Sequence, residues 1–254
     1  MIELTVTDDA EAAARACAAR IAAAIESARA QRGVAHVALA GGSTPARAYE
    51  LLAGRAGDWR DVHLWLGDER CVPLDHPDSN SVLVRDTLLA HLPAGRPQPI
   101  LHRVERAGDG DPPAAADAYA AELRASVPGE TTGGPASAGH MAGSGTPPFP
   151  VLDFVLLGLG EDGHTASLFP DDPALEERER LVVAVRRRKP PPDGVTFTLP
   201  LLRAARATVV LTAGAAKAQA VAATLAPPSA HTPASLLGVG ATVELIADRA
   251  AASA

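Results

Sequence analysis

The feature that most constrains this chain is an apolar run that ends in a glycine-rich turn, LDFVLLGLGEDGHTASLFP at residues 152–170. Such a run, bounded by glycine, is typical of a strand that is buried on both faces of a parallel sheet. The turn that follows the run contains the ionisable side chains of Glu161, Asp162 and His164. Because open α/β sheets bind ligands beyond the carboxyl ends of their strands, this turn is the first candidate for a functional site.

The same turn reads G-x-G-x-x-G through Gly158, Gly160 and Gly163, which is the spacing of a dinucleotide-binding turn. A dinucleotide site needs a long helix after the third glycine, but Pro170 ends any helix that begins at Thr165 after about one turn. It also needs an acidic residue ~20 positions further on, where this chain has VVAVRRR. Those arginines could bind a 2′-phosphate, so the dinucleotide interpretation stays open as an alternative.

Strand and helix patterns alternate along the rest of the chain. Short apolar or alternating runs predict strands at residues 2–6, 36–40, 62–66, 100–104, 154–157, 181–185, 208–212 and 243–246. Helical spacing and capping residues predict helices from Asp8 or Asp9 to about Ala30, from Pro45 to Leu52, over 81–92 after Ser79 or Asn80, and over 113–126, 201–206 and 215–225. This alternation indicates an α/β fold whose parallel or mostly parallel sheet is covered by helices on both faces.

Residues 127–150, VPGETTGGPASAGHMAGSGTPPFP, interrupt the alternation. They are rich in Gly, Pro, Ser and Thr and lack hydrophobic periodicity, which predicts a flexible surface insertion. Because strands and helices alternate on both sides of this segment, we interpret residues 1–254 as one domain with an insertion, and not as two linked domains. A chain of 254 residues is long enough for a single domain with a sizeable core.

Composition excludes several classes of partner. The formal net charge is −7 and no basic stripe with interleaved aromatic residues is present, so nucleic acid is not expected as a partner. No apolar run approaches the ~18 residues of a membrane span, and the acidic start MIELTVTDDAE is unlike a signal peptide. The cysteines, Cys17 and Cys71, form no C-x-x-C pair. We therefore expect a cytoplasmic protein that binds any anionic ligand through local cations.

Two loops at predicted strand ends suggest an anion site. The first, GGSTP, places Gly41, Gly42, Ser43 and Thr44 before a helix, where hydroxyls and free backbone N–H groups favour an anion. The second, TAGAAKAQA, places Lys217 in the first turn of a helix, where its charge opposes the helix dipole unless it serves a bound anion. A plain capped turn and a surface lysine are the alternatives.

Two further loops suggest acid–base chemistry. The loop GDERCVP places Asp68, Glu69 and Arg70 at a strand end, where they could orient a sugar hydroxyl, a phosphate or water, or form only a solvated charged loop with a local Asp–Arg pair. A cysteine nucleophile is disfavoured, because no histidine neighbours Cys71 in sequence. In the central turn, Asp162 could fix the tautomer of His164 and make it a general base. No second histidine or cysteine cluster lies at metal-ligand spacing, so we predict no metal site.

Together, these four loops resemble those of the 6-phosphogluconolactonase family. The matching segments run in order from about residue 36 to 248 and are VALAGGSTP, HLWLGDERCVPLDHPDSN, DFVLLGLGEDGHTASLFP, KPPP with VTFTLP, and TAGAAKA. The resemblance implies a three-layer α/β/α fold with a mostly parallel, Rossmann-like sheet, similar to that of the glucosamine-6-phosphate deaminases. It implies hydrolysis of 6-phospho-D-glucono-1,5-lactone to 6-phospho-D-gluconate, the second step of the oxidative pentose phosphate pathway, without a metal or organic cofactor.

The resemblance also implies roles for individual residues. His164 would be the general base that activates water, Asp162 would orient it, and Arg70 would stabilise negative charge on the lactone. Asp68 is a further catalytic candidate. The residues that would hold the 6-phosphate are Gly41, Gly42, Ser43, Thr44 and Lys217.

The chain departs from the family pattern in two places. Members commonly have an arginine immediately before the VTFT-like strand, where this chain has Gly194. The missing arginine weakens the third arm of phosphate binding, unless Arg186, Arg187 or Arg188 supplies it. The insertion at 127–150 is also longer than we expect of the family.

Two other functions remain as alternatives. The related deaminases isomerise and deaminate an amino-sugar phosphate, and they usually carry a glutamate where this chain has Phe169 and an aromatic residue where it has Arg70. A non-catalytic sugar-phosphate sensor would need the phosphate loops but not His164 or Arg70, and would usually be fused to a DNA-binding module, which is not visible here. The expected partner is a small sugar-phosphate lactone, and the expected state is a monomer or weak homo-oligomer.

Overall fold

The computed structural model describes residues 1–55, 57–130, 149–187 and 190–253. The strands in these residues are β1 (Ile2–Thr7), β2 (Ala35–Leu39), β3 (Val62–Leu66), β4 (Asp68–Arg70), β5 (Ile100–Leu101), β6 (Gly129–Glu130), β7 (Phe149–Pro150), β8 (Phe154–Gly158), β9 (Val182–Arg186), β10 (Asp193–Phe197), β11 (Thr208–Thr212) and β12 (Val243–Asp248). The helices are α1 (Ala10–Arg32), α2 (Ser43–Ala53), α3 (Asn80–Thr87), α4 (Pro112–Ser126), α5 (Leu199–Ala204), α6 (Ala218–Leu225) and α7 (Pro233–Leu236).

The central sheet has seven strands in the order β1-β12-β11-β8-β2-β3-β5, and every neighbouring pair is parallel. From β2 the chain builds the sheet in one direction, through β3 to β5. From β8 it builds in the other direction, through β11 to β12. The strand order therefore reverses between β2 and β8, and a crevice opens at the carboxyl ends of these two strands.

Two separate apolar clusters form on the two faces of this sheet, because successive residues of a strand point to opposite faces. In β2, Val37 and Leu39 belong to the apolar cluster that α1, α2 and α3 cover. Ala38, between them, belongs to a second cluster that includes residues of α4, α5, α6 and α7. The three-layer α/β/α fold with a parallel central sheet is therefore confirmed.

The strand predicted at residues 181–185 does not join the central sheet. It forms β9, which pairs antiparallel with β10, and β10 pairs antiparallel with β4 in a separate three-stranded sheet. The link between β9 and β10 is too short for a crossover helix, so the two strands form a hairpin. Val182, Val195 and Phe197 pack in the same cluster as Tyr119 of α4, which explains why these strands look like buried parallel ones in sequence.

Most predicted element ends lie where capping residues occur. The side chain of Asp9 accepts a hydrogen bond from the N–H of Ala12 at the start of α1, and Gly33 ends the helix with a φ of 78°. Ser79 caps α3. Three predictions were too long. The strand at 100–104 is limited to β5, and the helix at 81–92 ends with α3 at Thr87, followed by a separate 3₁₀ turn at Leu89–His91. No helix begins at Thr165, which instead closes a turn through a bridge to Leu168.

The predicted insertion lies only partly in the described residues. Its flanks pair as an antiparallel β6–β7 ribbon, Gly129 with Pro150 and Glu130 with Phe149. Residues 131–148, the greater part of the insertion, lie outside the described residues. None of the helices in the described part of the chain is long and apolar enough to cross a membrane.

Candidate active site

The carboxyl ends of β2, β3, β8 and β11 surround a cavity of about 270 Å³. Eight of the nine residues predicted for the site line this cavity: Gly41, Gly42, Ser43, Thr44, Asp68, Arg70, His164 and Lys217. The ninth, Asp162, is hydrogen-bonded to His164. Four loops that are far apart in sequence therefore meet at the point where the strand order reverses.

The loop after β2 is held close to the start of α2. The buried hydroxyl of Tyr49 accepts a hydrogen bond from the N–H of Ala40 at 2.9 Å and donates one to its carbonyl at 2.7 Å. Gly42, with a φ of 102°, precedes the helix, and no side chain caps its first turn. The N–H groups that begin α2 therefore remain available to an anion at the cavity.

Gly41 leaves space for the side chain of Asn80, the first residue of α3. A Cβ at position 41 would lie 2.1 Å from Oδ1 of Asn80. The Nδ2 of Asn80 donates a hydrogen bond to the carbonyl of Asp68 at 2.7 Å, and Asp68 also accepts one from the hydroxyl of Ser167 at 2.6 Å. Asn80 thus joins two predicted loops, a role that sequence analysis missed because asparagine at this position also fits a helix cap.

Glu69 anchors the other side of the same network. Its buried carboxylate accepts hydrogen bonds from the backbone N–H of Asn80 at 2.8 Å and of Ser81 at 3.0 Å, and from the hydroxyl of Ser79 at 2.8 Å. Burial raises the pKa of Glu69, although these donors act in the opposite direction. Glu69 fixes the start of α3 and with it the position of Asn80.

Arg70 extends from β4 into the cavity. Its Nη1 donates a hydrogen bond to the carbonyl of Asp78, and its Nε is buried without a partner in the described residues. The guanidinium is therefore held in place by the backbone while donor capacity remains for a ligand.

His164 follows the strand β8 and its orientation is fixed from three sides. Its Nδ1 is hydrogen-bonded to Oδ1 of Asp162, and its ring lies 4.8 Å, centroid to centroid, from that of Phe169. Gly160 is required beneath the ring, because a Cβ there would lie 2.0 Å from Nδ1 of His164. About one third of the His164 side chain is exposed (34%), so water can reach it.

The contact with Asp162 decides which nitrogen of His164 carries the proton. Partial burial acts to raise the pKa of Asp162, but hydrogen bonds and charge from His164 outweigh it and the net pKa is lowered. Asp162 is therefore a carboxylate that accepts a hydrogen bond from Nδ1–H. The neutral imidazole then has a free lone pair on Nε2, which can take a proton from water.

The loop after β11 brings Lys217 and Thr212 to the cavity. Gly214, with a φ of 93°, turns the chain, and its N–H donates a hydrogen bond to Oδ1 of Asp248 at 3.0 Å. Lys217 ends a 3₁₀ turn and directly precedes α6. The hydroxyl of Thr212 is buried and has no partner in the described residues, which marks a place where a polar ligand group would be stabilised.

The structure also separates the arginines after β9. Arg187 lines the cavity, whereas Arg186 is exposed and lines a different groove, and Arg188 lies outside the described residues. Sequence analysis named the three only as a group, because a strand pattern cannot show which of three consecutive arginines reaches a site. Arg187 is thus a cavity residue that the predicted set lacked.

The described residues give little support to a cysteine nucleophile or a metal site. Burial raises the pKa of the Cys71 thiol to about 11, so the reactive thiolate is scarce at neutral pH. Within residues 1–55, 57–130, 149–187 and 190–253, no group of three or more His, Cys, Asp and Glu side chains is arranged to hold a metal ion.

Comparison with known proteins gives a consistent result. The family model of glucosamine-6-phosphate isomerases and 6-phosphogluconolactonases matches residues 8–245. A 6-phosphogluconolactonase of Synechocystis is 41% identical over 203 residues, covering 80% of this chain and 76% of the relative. One from Mycobacterium leprae is 38% identical over 257 residues, covering 97% of this chain and 96% of the relative.

Solved structures show the same fold over the whole chain. The 6-phosphogluconolactonase of Trypanosoma brucei superposes with a TM-score of 0.83 at 28% identity, and the match covers 100% of this chain and 98% of that one. A monomeric glucosamine-6-phosphate deaminase has a TM-score of 0.73 at 20% identity, with coverage of 99% and 98%, and shares the fold.

Proposed function

This chain belongs to the family of glucosamine-6-phosphate isomerases and 6-phosphogluconolactonases, and we propose that His164 acts in it as the general base of a lactone hydrolase. The reaction is hydrolysis of 6-phospho-D-glucono-1,5-lactone to 6-phospho-D-gluconate. Two relatives that carry the name of this activity are each 41% identical to this chain. The observation that carries the mechanism is a histidine, fixed by a carboxylate, at a cavity that also holds Arg70 and Lys217.

The chemical step needs a base for water and a donor for the oxyanion. Nε2 of His164 takes a proton from water as the water oxygen forms a bond to C1 of the lactone. The carbonyl oxygen becomes an oxyanion, which the Arg70 guanidinium stabilises through its free donors. Collapse of this intermediate breaks the bond from C1 to the ring oxygen, and the proton on His164 passes to that oxygen to give the 5-hydroxyl.

The phosphate group is held at a distance from the reacting carbon. Ser43 and Thr44 at the start of α2 and Lys217 all line the cavity, and they supply N–H groups, hydroxyls and an ammonium that suit a phosphate. The net charge of the chain is −7, so binding of a dianion depends on these local cations. Binding energy from such a remote group is expressed both in affinity and in the orientation of the lactone.

The deaminase alternative is disfavoured by Phe169. Ring opening of an amino sugar requires an additional acid–base group beside the sugar. Phe169 is buried against the ring of His164 and has no proton to transfer. The second position noted in the sequence, Arg70, carries a cation whose donors suit an oxyanion.

A coupled assay tests this proposal directly. Freshly generated 6-phosphogluconolactone and glucosamine 6-phosphate are supplied in parallel, and 6-phosphogluconate and ammonia are measured. We expect lactone hydrolysis well above the spontaneous rate and no ammonia release. Ammonia release from glucosamine 6-phosphate, without lactone hydrolysis, would assign the chain to the deaminases.

The cytoplasmic location of this protein and its monomeric or weakly oligomeric state stay predictions.

A further inference from the structure

The side chain of Arg187 crosses the strand β10 at Gly194. Gly194 pairs with Val185 of β9 on one side and with Arg70 of β4 on the other. A Cβ at position 194 would lie 2.9 Å from the carbonyl oxygen of Glu69, and 3.0 Å from Cδ and 3.6 Å from Cγ of Arg187. The aliphatic part of Arg187 therefore lies directly against Gly194, in space that any larger side chain would fill.

The guanidinium of Arg187 has unused donors at the cavity. Its Nη1 donates a hydrogen bond to the carbonyl of Pro191 at 3.1 Å, while its Nε is buried without a partner among the residues that the structure describes. Burial, followed by the positive charge of Arg70, lowers the pKa of Arg187, although the charges of three carboxylates, Asp68, Asp78 and Glu69, act in the opposite direction. None of these carboxylates lies close enough to form an ion pair with Arg187. Two guanidinium groups held near each other without such a partner favour a bound anion between or beside them.

We propose that Arg187 binds the phosphate group of the substrate, and that its side chain occupies space beside Gly194 that a side chain at position 194 would need. A phosphate carries close to two negative charges and three acceptor oxygens, which is more than Lys217 can match as a single point charge. An arginine supplies a planar fork of donors that fits phosphate. With Arg70 at the lactone, Arg187 is the second guanidinium of the cavity and the one left for the phosphate.

This inference rests on the proposed function for the identity of the substrate, but the anion site can be tested without it. Arg187→Ala removes the guanidinium. Arg186→Ala is the matched control, because the neighbouring arginine is exposed and does not line the cavity. Arg187→Lys keeps the charge and loses the fork.

The kinetic test compares the phosphorylated lactone with unphosphorylated glucono-1,5-lactone. A charged hydrogen bond accounts for about a 10- to 100-fold effect, so Arg187→Ala should lower kcat/KM for the phosphorylated lactone by that factor, mainly through KM. Activity on the unphosphorylated lactone and the Arg186→Ala control should stay near wild type, and Arg187→Lys should fall between. Equal losses on both lactones, or equal behaviour of the two alanine variants, would overturn the proposal.

Binding of inorganic phosphate, measured by titration calorimetry, separates this inference from the proposed function. Phosphate should bind Arg187→Ala about tenfold more weakly than wild type or Arg186→Ala, whatever the turnover of the lactone. Unchanged phosphate affinity in Arg187→Ala, with an unchanged melting temperature, would remove Arg187 from the anion site even if the chain hydrolyses the lactone.

Discussion

At the scale of single residues, the site depends on glycines that leave space for functional side chains. Gly160 lies under the His164 ring, Gly41 beside Asn80 and Gly194 under Arg187. At Gly160 and Gly41 an added methyl group would collide with these side chains, and at Gly194 it would crowd both Arg187 and the carbonyl of Glu69. These glycines therefore mark places where side chains approach the backbone closely.

The first prediction concerns Gly160→Ala. The added Cβ would lie 2.0 Å from Nδ1 of His164 and 2.7 Å from Oδ1 of Asp162, so the pair must separate or rotate. Because a positioned base contributes about 10²–10⁴-fold, we expect kcat to fall by at least about tenfold while KM changes little. Steady-state kinetics beside a melting curve would check this, and a folded variant with wild-type kcat would contradict the assigned role of His164.

At the scale of elements, strand ends were predictable and strand partners were not. Glycine after an apolar run marks the ends of β2, β3 and β8, and these ends carry the site residues that sequence analysis named. By contrast, the apolar pattern of β9 is the same whether a strand joins the parallel sheet or a small antiparallel one. The role of Arg187 depends on that pairing, so the sequence alone could not distinguish it from Arg186.

The second prediction concerns the stability of the folded protein in acid, which depends on a histidine in β2. His36 is buried in β2, its Nδ1 accepts a hydrogen bond from Nε1 of Trp65 at 3.3 Å, and its ring lies 4.7 Å from that of His63. Burial, followed by the charge of His63, lowers the pKa of His36 to about 4. Between its ordinary pKa and this value, the unfolded chain binds a proton that the folded chain does not, so stability falls as the pH falls.

The expected loss from His36 between pH 7 and pH 4.5 is about 2 kcal/mol of unfolding free energy. His36→Gln keeps an acceptor for Trp65 and cannot be protonated, so its stability should fall by about that much less over the same range. Urea unfolding at both pH values measures the difference. An identical fall in wild type and variant would show that His36 does not cause the acid sensitivity.

At the scale of the whole molecule, the site exists only because the topology brings distant loops together. The residues at the cavity come from position 40 to position 217 of the chain and meet where the order of the strands reverses between β2 and β8. The insertion at 127–150 has no described residue among those that line this cavity. Its removal is therefore a test of whether fold and site are independent of it.

The third prediction is that residues 131–148 can be replaced by a two-residue Asn-Gly turn. Glu130 and Phe149 are already paired across the antiparallel ribbon, so a tight turn can join them. We expect unfolding free energy within about 1 kcal/mol of wild type and unchanged kcat/KM. A loss of several kcal/mol in denaturant unfolding would show that the segment packs against the core.

The most direct test of the account is the turnover of His164→Gln on freshly generated 6-phosphogluconolactone. Glutamine keeps hydrogen-bonding capacity but cannot take a proton, so kcat should fall by about 10²–10⁴-fold while KM stays within about twofold of wild type. The assay must be fast enough to subtract spontaneous hydrolysis of the lactone. Turnover near that of wild type would contradict a histidine base and leave Asp68 or Asp162 in that role.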